Sequence, residues 1–385
     1  MGVGWDDDPA VAAWPGLPPL DGDRTADACV VGLGASGLAA VAALAERGLS
    51  VVGVDAGRVA GRAAGRNGGL LLGGGAWCLH HAIARWGAAA AVALYRETLA
   101  ELSRLADVLG PEVIRRVGSI RLAGLPGDTV DDAERADRAA ERSDCAAHAE
   151  ALRAHGLAVE CYDGELGAGL FLPDDAAMNP ARRALGLVAV LGDRADLHEH
   201  TPATRVAAGS VVTTRGQISA GVVIVAVDGG LEVLLPQLRG RVRTARLQML
   251  ATAPVAAGRL PCPVYGRWGY DYAQQDDDGR LFVGGGRDRH PESEWTADAE
   301  PSAPVQAYLD VLAARMAGAP VSVTHRWAAS VGYTPDGRAL CTDVAGVLAV
   351  GGYNGTGNLV GPVAARAAVA LALDGTPPPS YFTSH

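Results

Sequence analysis

The sequence contains no lysine, because all 33 of its basic residues are arginine. A chain without lysine cannot use a Schiff-base lysine, a P-loop lysine or a lysine general base, so these kinds of chemistry are excluded. The basic residues are also outnumbered, since 43 acidic residues give a net charge of −10. A nucleic-acid-binding surface normally shows an excess of basic residues, and we therefore expect no nucleic-acid partner.

The six cysteines are scattered along the chain, and no CxxC pair occurs among them. This spacing is typical neither of a disulfide framework nor of a zinc site. The first ten residues are acidic and lack the basic start and apolar core of a signal peptide. No apolar run approaches the roughly 20 residues needed to span a bilayer. The composition therefore predicts a cytoplasmic globular protein of two or three domains, with no membrane partner and no metal.

A complete β-α-β pattern lies near the N-terminus. The β-type run 28–31 leads into a GxGxxG motif, and an alanine-rich helical stretch and a second β-type run, 51–54, follow. Such glycines permit a tight turn, let a pyrophosphate approach the backbone and let the helix pack closely. Asp55 ends the second run, where a carboxylate can accept hydrogen bonds from an adenosine ribose and disfavours NADP. The pattern predicts a dinucleotide site without distinguishing FAD from NAD. Its predicted contacts are Gly32, Gly34, Ala35, Ser36, Gly37, Asp55 and Ala56.

Two further glycine-rich segments favour FAD over NAD. The first, GRVAGRAAGRNGGLLLGGG, excludes an ordinary helix or strand and suits backbone that passes close to a flat ligand. The leucines at 70–72 should be buried, which disfavours a flexible surface loop. The second segment, GGYNGTGN, follows the strand-like run 348–350 and precedes a helical stretch with Pro362 near its first turn. Two such loops far apart in sequence fit one long, two-ended cofactor, and no second GxGxxG motif occurs. The polar or glycine contacts predicted in the first segment are Arg62, Arg66, Asn67, Gly68 and Gly69.

These motifs resemble those of the D-amino-acid-oxidase-like FAD oxidoreductases, and the chain is most similar to the γ-glutamylputrescine oxidase branch. The matching blocks are PPLDGDRTADACVVGLGASGLAAVAALAERGLSVVGVDAG with GRNGGLLLGGG, ISAGVVIVAV, GYDYAQQDDDGRLFVGGGRD, and VGYTPDGRAL with VLAVGGYNGTGN. The resemblance implies an α/β (α+β) fold, in which a discontinuous Rossmann-like FAD-binding domain carries an inserted antiparallel-sheet substrate domain. The FAD-binding segments are expected at 1–84, 172–232 and 326–385, and the substrate domain at 85–171 and 233–325. Further cofactor contacts implied are Val206, Ala226, Gly352, Asn354, Gly355, Thr356, Gly357 and Asn358.

The resemblance also implies a reaction, the oxidation of a C–N bond in a small amine or amino-acid-like substrate to an imine. The hydride passes to flavin N5 and O2 is the expected acceptor. A dehydrogenase of an amine or 2-hydroxy acid that uses a quinone or carrier, and a flavin-binding protein without turnover, remain alternatives. The expected catalytic residues are Tyr270, Tyr272, Arg287, Trp327 and Asn354. Trp268, His290 and Tyr353 are further candidates, whereas His80 and His81 are interpreted as structural.

Several positions depart from the family pattern. Val331 stands where related amino-acid oxidases carry an arginine for the substrate α-carboxylate, so that clamp is missing unless Arg287 replaces it. Ala329 stands where sarcosine-oxidase-type members attach FAD through cysteine, which predicts non-covalent FAD. Phe282 stands near the position of their oxygen-activating lysine, so an oxidase needs another cation. The charged, alanine-rich run 131–156 predicts a solvated helix without a catalytic role.

Overall fold

The computed structural model of the protein describes residues 2–383. Within these residues the strands are β1 (Arg24–Val31), β2 (Val51–Val54), β3 (Leu70–Leu71), β4 (Ile114–Arg115), β5 (Ser119–Leu122), β6 (Glu160–Gly164), β7 (Gly167–Leu172), β8 (Ala176–Met178), β9 (Asp196–His198), β10 (Ala203–Ala207), β11 (Ser210–Thr213), β12 (Gln217–Val225), β13 (Arg243–Thr252), β14 (Val264–Gly266), β15 (Asp271–Gln275), β16 (Leu281–Gly284), β17 (Val323–Tyr333), β18 (Leu340–Val344) and β19 (Val347–Gly351). The α-helices are α1 (Pro9–Ala12), α2 (Ala35–Glu46), α3 (Ala63–Arg66), α4 (Leu79–Trp86), α5 (Ala88–Leu109), α6 (Asp132–Ala154), α7 (Pro180–Leu191), α8 (Leu231–Leu234), α9 (Pro291–Glu294), α10 (Ala303–Ala317) and α11 (Gly357–Asp374). None of the helices in this part of the chain is both long and apolar enough to cross a membrane.

The first sheet is built around the N-terminal β-α-β unit. Its order is β10-β11-β12-β1-β2-β9, with β19 joining β12 and the hairpin strand β18. β1 runs parallel to both β2 and β12, and α2 packs against α11. β2 and the second half of β1, residues 28–31, are buried on both faces, which is why these stretches are continuously apolar. This Rossmann-like arrangement confirms the predicted fold class.

The second sheet is mostly antiparallel, in the order β17-β13-β16-β15-β14-β5-β7-β6. Only β14 and β5 among its central strands run parallel. Helix α10 packs on β13 and β16 and shields the core on that side. The strand-rich character predicted for 243–288 agrees with β13 to β16. A third, three-stranded sheet, β3-β8-β4, connects the two larger sheets along the chain.

Some predicted boundaries differ from the structure. Residue 326, the expected start of the last FAD-binding segment, lies inside β17, which pairs with β13 along its length in the second sheet. The helical region 85–109 divides into α4 and α5 at Gly87, whose φ of +84° breaks the helix. Pro362 lies inside α11 and not in its first turn, because that helix already begins at Gly357. Residues 1 and 384–385 of the predicted domain ranges lie outside the described residues.

Candidate active site

The GxGxxG motif forms the turn between β1 and α2. Gly32 has a φ of +97°, and its N–H donates to the Val54 carbonyl at 2.8 Å. A Cβ on Gly37 would lie 1.7 Å from the Gly32 carbonyl oxygen, so only glycine lets the helix approach the turn this closely. Gly34 caps α2, whose first N–H groups are left to face an anion.

Asp55 lies at the carboxyl end of β2, beside this turn. Its Oδ2 accepts a hydrogen bond from the Leu33 N–H at 2.8 Å, and its Oδ1 accepts one from the Gly57 N–H at 2.9 Å. Burial raises the pKa of the Asp55 carboxyl, while the two N–H groups oppose the shift. Each carboxylate oxygen can accept a second hydrogen bond, which leaves capacity for ribose hydroxyls.

Glu199 is a residue of this region that sequence reasoning missed. It is buried, and its carboxylate accepts hydrogen bonds from the Val59 N–H at 2.7 Å and from the Leu17 N–H at 3.0 Å. The indole of Trp14 donates to it as well, at 3.3 Å. Glu199 thus ties the N-terminal segment to the loop that follows Asp55, and an acidic residue in a short polar run gave no signal for this role.

The two other glycine-rich segments meet in three dimensions. The Asn67 amide donates to Asn358 Oδ1 at 3.1 Å, and the Asn358 amide donates to Asn67 Oδ1 at 3.0 Å. Asn358 also donates to the Leu70 carbonyl at 2.9 Å, and the Trp5 indole donates to the Asn67 carbonyl at 2.9 Å. The first turn of α11 is therefore fixed against the GRNGG loop.

A cavity of about 570 Å³ lies between these loops and the second sheet. Helix α3 connects it to the GxGxxG turn, since Ala63 lines the cavity and Ala64 lies where a Cβ on Gly34 would reach it at 3.4 Å. The predicted residues that line the cavity are Arg66, Asn67, Gly68, Trp268, Tyr270, Tyr272, Arg287, Asn354, Gly355, Thr356 and Asn358. Lining residues that were not proposed as site residues include Cys78, His81, Arg121, His148, Met249, Tyr265 and Tyr333.

One row of directly paired residues crosses the sheet above the cavity. Met249 pairs with Gly284, Gly284 with Tyr272, Tyr272 with Tyr265, and Tyr265 with Arg121. Paired residues project from the same face of a sheet, so these side chains face the cavity together. Tyr272 and Tyr270 both line the cavity, although Tyr270 precedes β15.

The Tyr272 ring is held between two glycines. A Cβ on Gly284 would lie 2.4 Å from the ring, and a Cβ on Gly68 would lie 2.7 Å from it. Burial raises the pKa of the Tyr272 phenol above its usual range. At neutral pH the hydroxyl is therefore a neutral hydrogen-bonding group and not a base.

Arg287 lies beside the strand that carries Val331. Its guanidinium lies 4.5 Å from the centre of the Tyr333 ring, 5.3 Å from that of Trp295 and 5.4 Å from that of Tyr270. Val331 and Tyr333 alternate onto one face of β17 and both line the cavity. The three rings hold the Arg287 cation next to the position where the family clamp is missing.

The opposite end of the row is formed by Arg121, Cys78 and residues of α6. α6 has a buried face besides the solvated face that was predicted, because Glu141 and His148 are buried and His148 lines the cavity. Glu141 accepts from the Trp268 N–H at 2.6 Å and from the Gly124 N–H at 2.6 Å. The buried face follows helical spacing within a charged segment, and the high proportion of surface charge concealed it.

The remaining predicted residues lie elsewhere. Trp327 is buried, and its indole donates to the Arg66 carbonyl at 2.8 Å, so it supports the loop without lining the cavity. Tyr353 is buried beside α11, and His290 lies in the turn before α9. Val206 is on β10, where it packs against the apolar core of the first sheet. The other predicted contacts surround the GxGxxG turn or flank the cavity loops: Ala35, Ser36, Ala56, Arg62, Gly69, Ala226, Gly352 and Gly357.

Asn354 lines the cavity with a side chain that is already engaged. Its Oδ1 accepts from the Thr334 N–H at 3.0 Å, and its amide donates to the Gly352 carbonyl at 2.8 Å and to Thr334 Oγ1 at 3.1 Å. Its backbone has a φ of +54°. These contacts fix the second glycine loop, and the catalytic role of Asn354 stays a prediction.

These features together fit FAD. A tight turn at a helix N-terminus and a carboxylate for ribose form one end, and a large cavity crossed by two glycine loops forms the other. The cavity also carries the cations Arg66, Arg121 and Arg287, which suit a cofactor that gains negative charge.

Comparison with known proteins gives the same result. Residues 27–371 match the family model DAO, FAD dependent oxidoreductase. The probable oxidoreductase OrdL of Rhizobium meliloti (strain 1021) is 28% identical over 392 residues, which cover 93% of this chain and 86% of that protein. Glycine oxidase from Geobacillus kaustophilus has a similar fold, with a TM-score of 0.72 at 19% identity, covering 91% of this chain and 95% of that one. Iminodiacetate oxidase from Chelativorans sp. BNC1 gives a TM-score of 0.69 at 17% identity, covering 93% and 99%. The chain therefore belongs to the DAO family of FAD-dependent oxidoreductases, and it is an enzyme that uses FAD.

Proposed function

We propose that the protein oxidises a C–N bond of a small amine or amino-acid-like substrate to an imine and passes the electrons to O2. FAD, when bound, accepts a hydride equivalent from the substrate carbon, and the imine is then hydrolysed to a carbonyl compound and an amine or ammonia. Two electrons and two protons leave the substrate and convert O2 into H2O2. The structural neighbours include oxidases of glycine and iminodiacetate, which are C–N substrates.

The charge of the cavity wall carries the proposal. Arg66, Arg121 and Arg287 line it, and no carboxylate of the described residues does. A like charge nearby disfavours the protonated form of a bound amine. The neutral amine, whose lone pair assists loss of hydride from the adjacent carbon, is therefore the favoured bound form.

The cavity side chains support orientation more than proton transfer. His148 Nδ1 accepts the Leu79 N–H at 3.0 Å, and burial lowers the pKa of His148 to about 3. The ring is thus neutral and carries its proton on Nε2, so it does not serve as a base at neutral pH. Tyr272 is likewise a neutral phenol, and it can orient the substrate over the GRNGG loop.

A dehydrogenase that passes electrons to a quinone or carrier remains a second candidate. Phe282 stands near the position where sarcosine-oxidase-type enzymes carry the lysine that promotes reaction with oxygen. Its ring is buried and stacks on Trp5 with centroids 3.4 Å apart. No lysine exists that could approach from another element. An L-proline dehydrogenase from P. horikoshii also shares the fold, with a TM-score of 0.71 at 16% identity, covering 95% of this chain and 97% of that one.

The decisive experiment is anaerobic mixing of the holoenzyme with a panel of amines, amino acids and 2-hydroxy acids. Loss of the absorbance band of oxidised flavin at about 450 nm shows which class of compound is the substrate. Rapid reoxidation by air with formation of H2O2 supports the oxidase. Slow reoxidation by air with fast reoxidation by a soluble quinone supports the dehydrogenase. If no amine or amino acid reduces the flavin, the proposal is wrong.

A further inference from the structure

We propose that Arg121 binds a carboxylate on the end of the substrate remote from the reacting C–N bond. The preferred substrates are then amines with a distal acid group, and this inference rests on the proposed amine oxidation. Arg121 is on β5 in the second sheet, and its side chain lines the same cavity as Tyr272.

Arg121 is buried, with 8% of its surface exposed. Its guanidinium lies 5.4 Å from the centre of the Tyr265 ring, and its other close neighbours include the thiols of Cys78 and Cys145. Among the described residues it forms no ion pair. The Glu141 carboxylate attracts the Arg121 guanidinium electrostatically without forming an ion pair with it. Both Glu141 oxygens already accept backbone N–H groups.

A guanidinium is charged at all accessible pH values, and its burial without a close counter-ion is unfavourable. An anion that enters the cavity relieves this penalty. Burial keeps His148 neutral and the thiols of Cys78 and Cys145 protonated, since the pKa of His148 falls and those of the thiols rise. Glu141 is therefore the anionic side chain that acts on Arg121, and it forms no ion pair with Arg121 among the described residues. A planar carboxylate matches the fork of its N–H groups.

The row of paired residues across the second sheet gives the distance between Arg121 and Tyr272. Tyr272 pairs with Tyr265, and Tyr265 pairs with Arg121, so Arg121 lies two strands from the tyrosine that faces the GRNGG loop. Two strand spacings amount to roughly 10 Å. A carboxylate that reaches Arg121 is thus separated by several bonds from a carbon that reacts beside Tyr272. Arg287 lies beyond Tyr272, at the other end of the cavity wall.

The test compares straight-chain ω-amino acids, from glycine to 6-aminohexanoate, with n-alkylamines of matching length. We expect the apparent second-order rate constant of anaerobic flavin reduction to favour the longer amino acids over the matched alkylamines. In Arg121→Met this ratio falls by roughly 10- to 100-fold, as for loss of a charged hydrogen bond. Arg121→Lys, which keeps the charge, recovers part of it. Arg116→Met is the matched control, because Arg116 is exposed and contacts Ser103 at 2.8 Å outside the cavity.

A second readout needs no turnover. Hexanoate and shorter carboxylates are titrated into the oxidised holoenzyme, and binding is followed by the flavin absorbance change and by calorimetry. Weaker hexanoate binding by Arg121→Met, with binding by Arg116→Met unchanged, supports the inference. This holds even if no amine reduces the flavin, because a lack of reduction refutes only the proposed reaction. Equal binding by wild type and Arg121→Met overturns the inference. If Arg121→Met does not fold, a wild-type enzyme that gains nothing from a carboxylate at any chain length overturns it equally.

Discussion

The side-chain amides of Asn67 and Asn358 form two reciprocal hydrogen bonds, although the two residues are 291 positions apart in the sequence. The pair joins the GRNGG loop to the first turn of α11, and both residues line the cavity. Each amide is a donor and an acceptor at once, so the pair satisfies polar groups that burial would otherwise leave unpaired.

We predict energetic coupling between these two residues. Asn67→Ala and Asn358→Ala should each lower the thermal stability and the FAD affinity, because each removes both hydrogen bonds of the pair. The double variant should lose less than the sum, with a coupling of about 1 kcal/mol. Thermal unfolding of all variants in excess FAD measures this coupling. Asp131→Ala, which removes the cap of α6, is the control that should add independently to either variant, because Asp131 is exposed and its side chain accepts only the Glu134 N–H of its own helix.

A second prediction separates folding from cofactor binding at the GxGxxG turn. Gly34 has a φ of −84°, and a Cβ there would lie at an ordinary 3.4 Å from Ala64. Gly34→Val should therefore fold but lose FAD, since its side chain fills the space of the pyrophosphate. Gly37→Ala should destabilise the fold itself, because its Cβ overlaps the Gly32 carbonyl. Circular dichroism and flavin content together distinguish the two. A Gly34→Val protein with full flavin content would refute the placement.

At the adenosine end of the FAD site, substitution of Asp55 should have a smaller effect on FAD binding. Asp55→Ala should weaken FAD binding by about 1.5–3 kcal/mol, the range for a hydrogen bond to a charged group. The FAD dissociation constant, measured by fluorescence of released flavin, tests this value. An unchanged constant would mean that the ribose does not contact Asp55.

The attachment of FAD can be tested directly. Ala329 lines the cavity at the position where related enzymes carry a cysteine linked to the flavin. We expect acid or heat denaturation to release FAD into the supernatant and to leave a colourless pellet. Mass spectrometry of the denatured chain should show the mass of the polypeptide alone. A yellow pellet would mean a covalent bond elsewhere.

Substrate choice near the flavin end should depend on Arg287. Val331 cannot pair with an α-carboxylate, so glycine and D-alanine should be poor substrates compared with amines lacking that group. Any residual reduction by these amino acids should fall roughly 10- to 100-fold in Arg287→Met, because its guanidinium is held beside Tyr333. The ratio of amino-acid to alkylamine reduction rates is the measurement. Fast reduction by glycine that survives Arg287→Met would contradict the predicted role of Arg287 as the relocated clamp.

Stability should fall as pH rises through a window set by Asp175. This residue is buried, accepts the Ser119 hydroxyl at 2.6 Å and the Gly73 N–H at 2.8 Å, and burial raises its pKa to about 7. Between the unfolded value of 3.8 and about 7 the folded state binds more protons. The free energy of unfolding therefore decreases over this range, by up to ~4 kcal/mol.

Asp175→Asn should remove most of that decrease, because the amide has no titrating group; its oxygen can still accept the Gly73 N–H, and its NH2 can donate to Ser119 Oγ. Urea unfolding at a series of pH values measures how steeply the free energy of unfolding changes with pH. The series runs from about pH 4 to about pH 8, because the pKa of Asp175 is raised to about 7. A weaker slope should remain from Asp228, whose pKa burial raises to about 6. Identical slopes for wild type and Asp175→Asn would show that Asp175 does not titrate in this window.

The sequence by itself determined the dinucleotide half of this protein. The turn at Gly32–Gly37, the helix that ends before Gly48 and the acid at Asp55 depend on local backbone geometry and on short-range hydrogen bonds, which a contiguous motif specifies. The same holds for the strand and glycine loop before α11. Family, cofactor and fold class follow from these local features.

Only the tertiary structure decided the composition of the cavity. Arg121, Tyr265 and His148 come from β5, β14 and α6, and no sequence spacing relates them. Strand pairing brings them together, since register and order of a sheet depend on long-range contacts. The arginine within the otherwise apolar run SIRLAGL was a local signal that remained ambiguous without that pairing. Trp327 shows the opposite case, a residue that was predicted in the site but does not line the cavity. It lies on β17 as Val331 does, but its indole N–H donates to the Arg66 carbonyl and the side chain stays in the core.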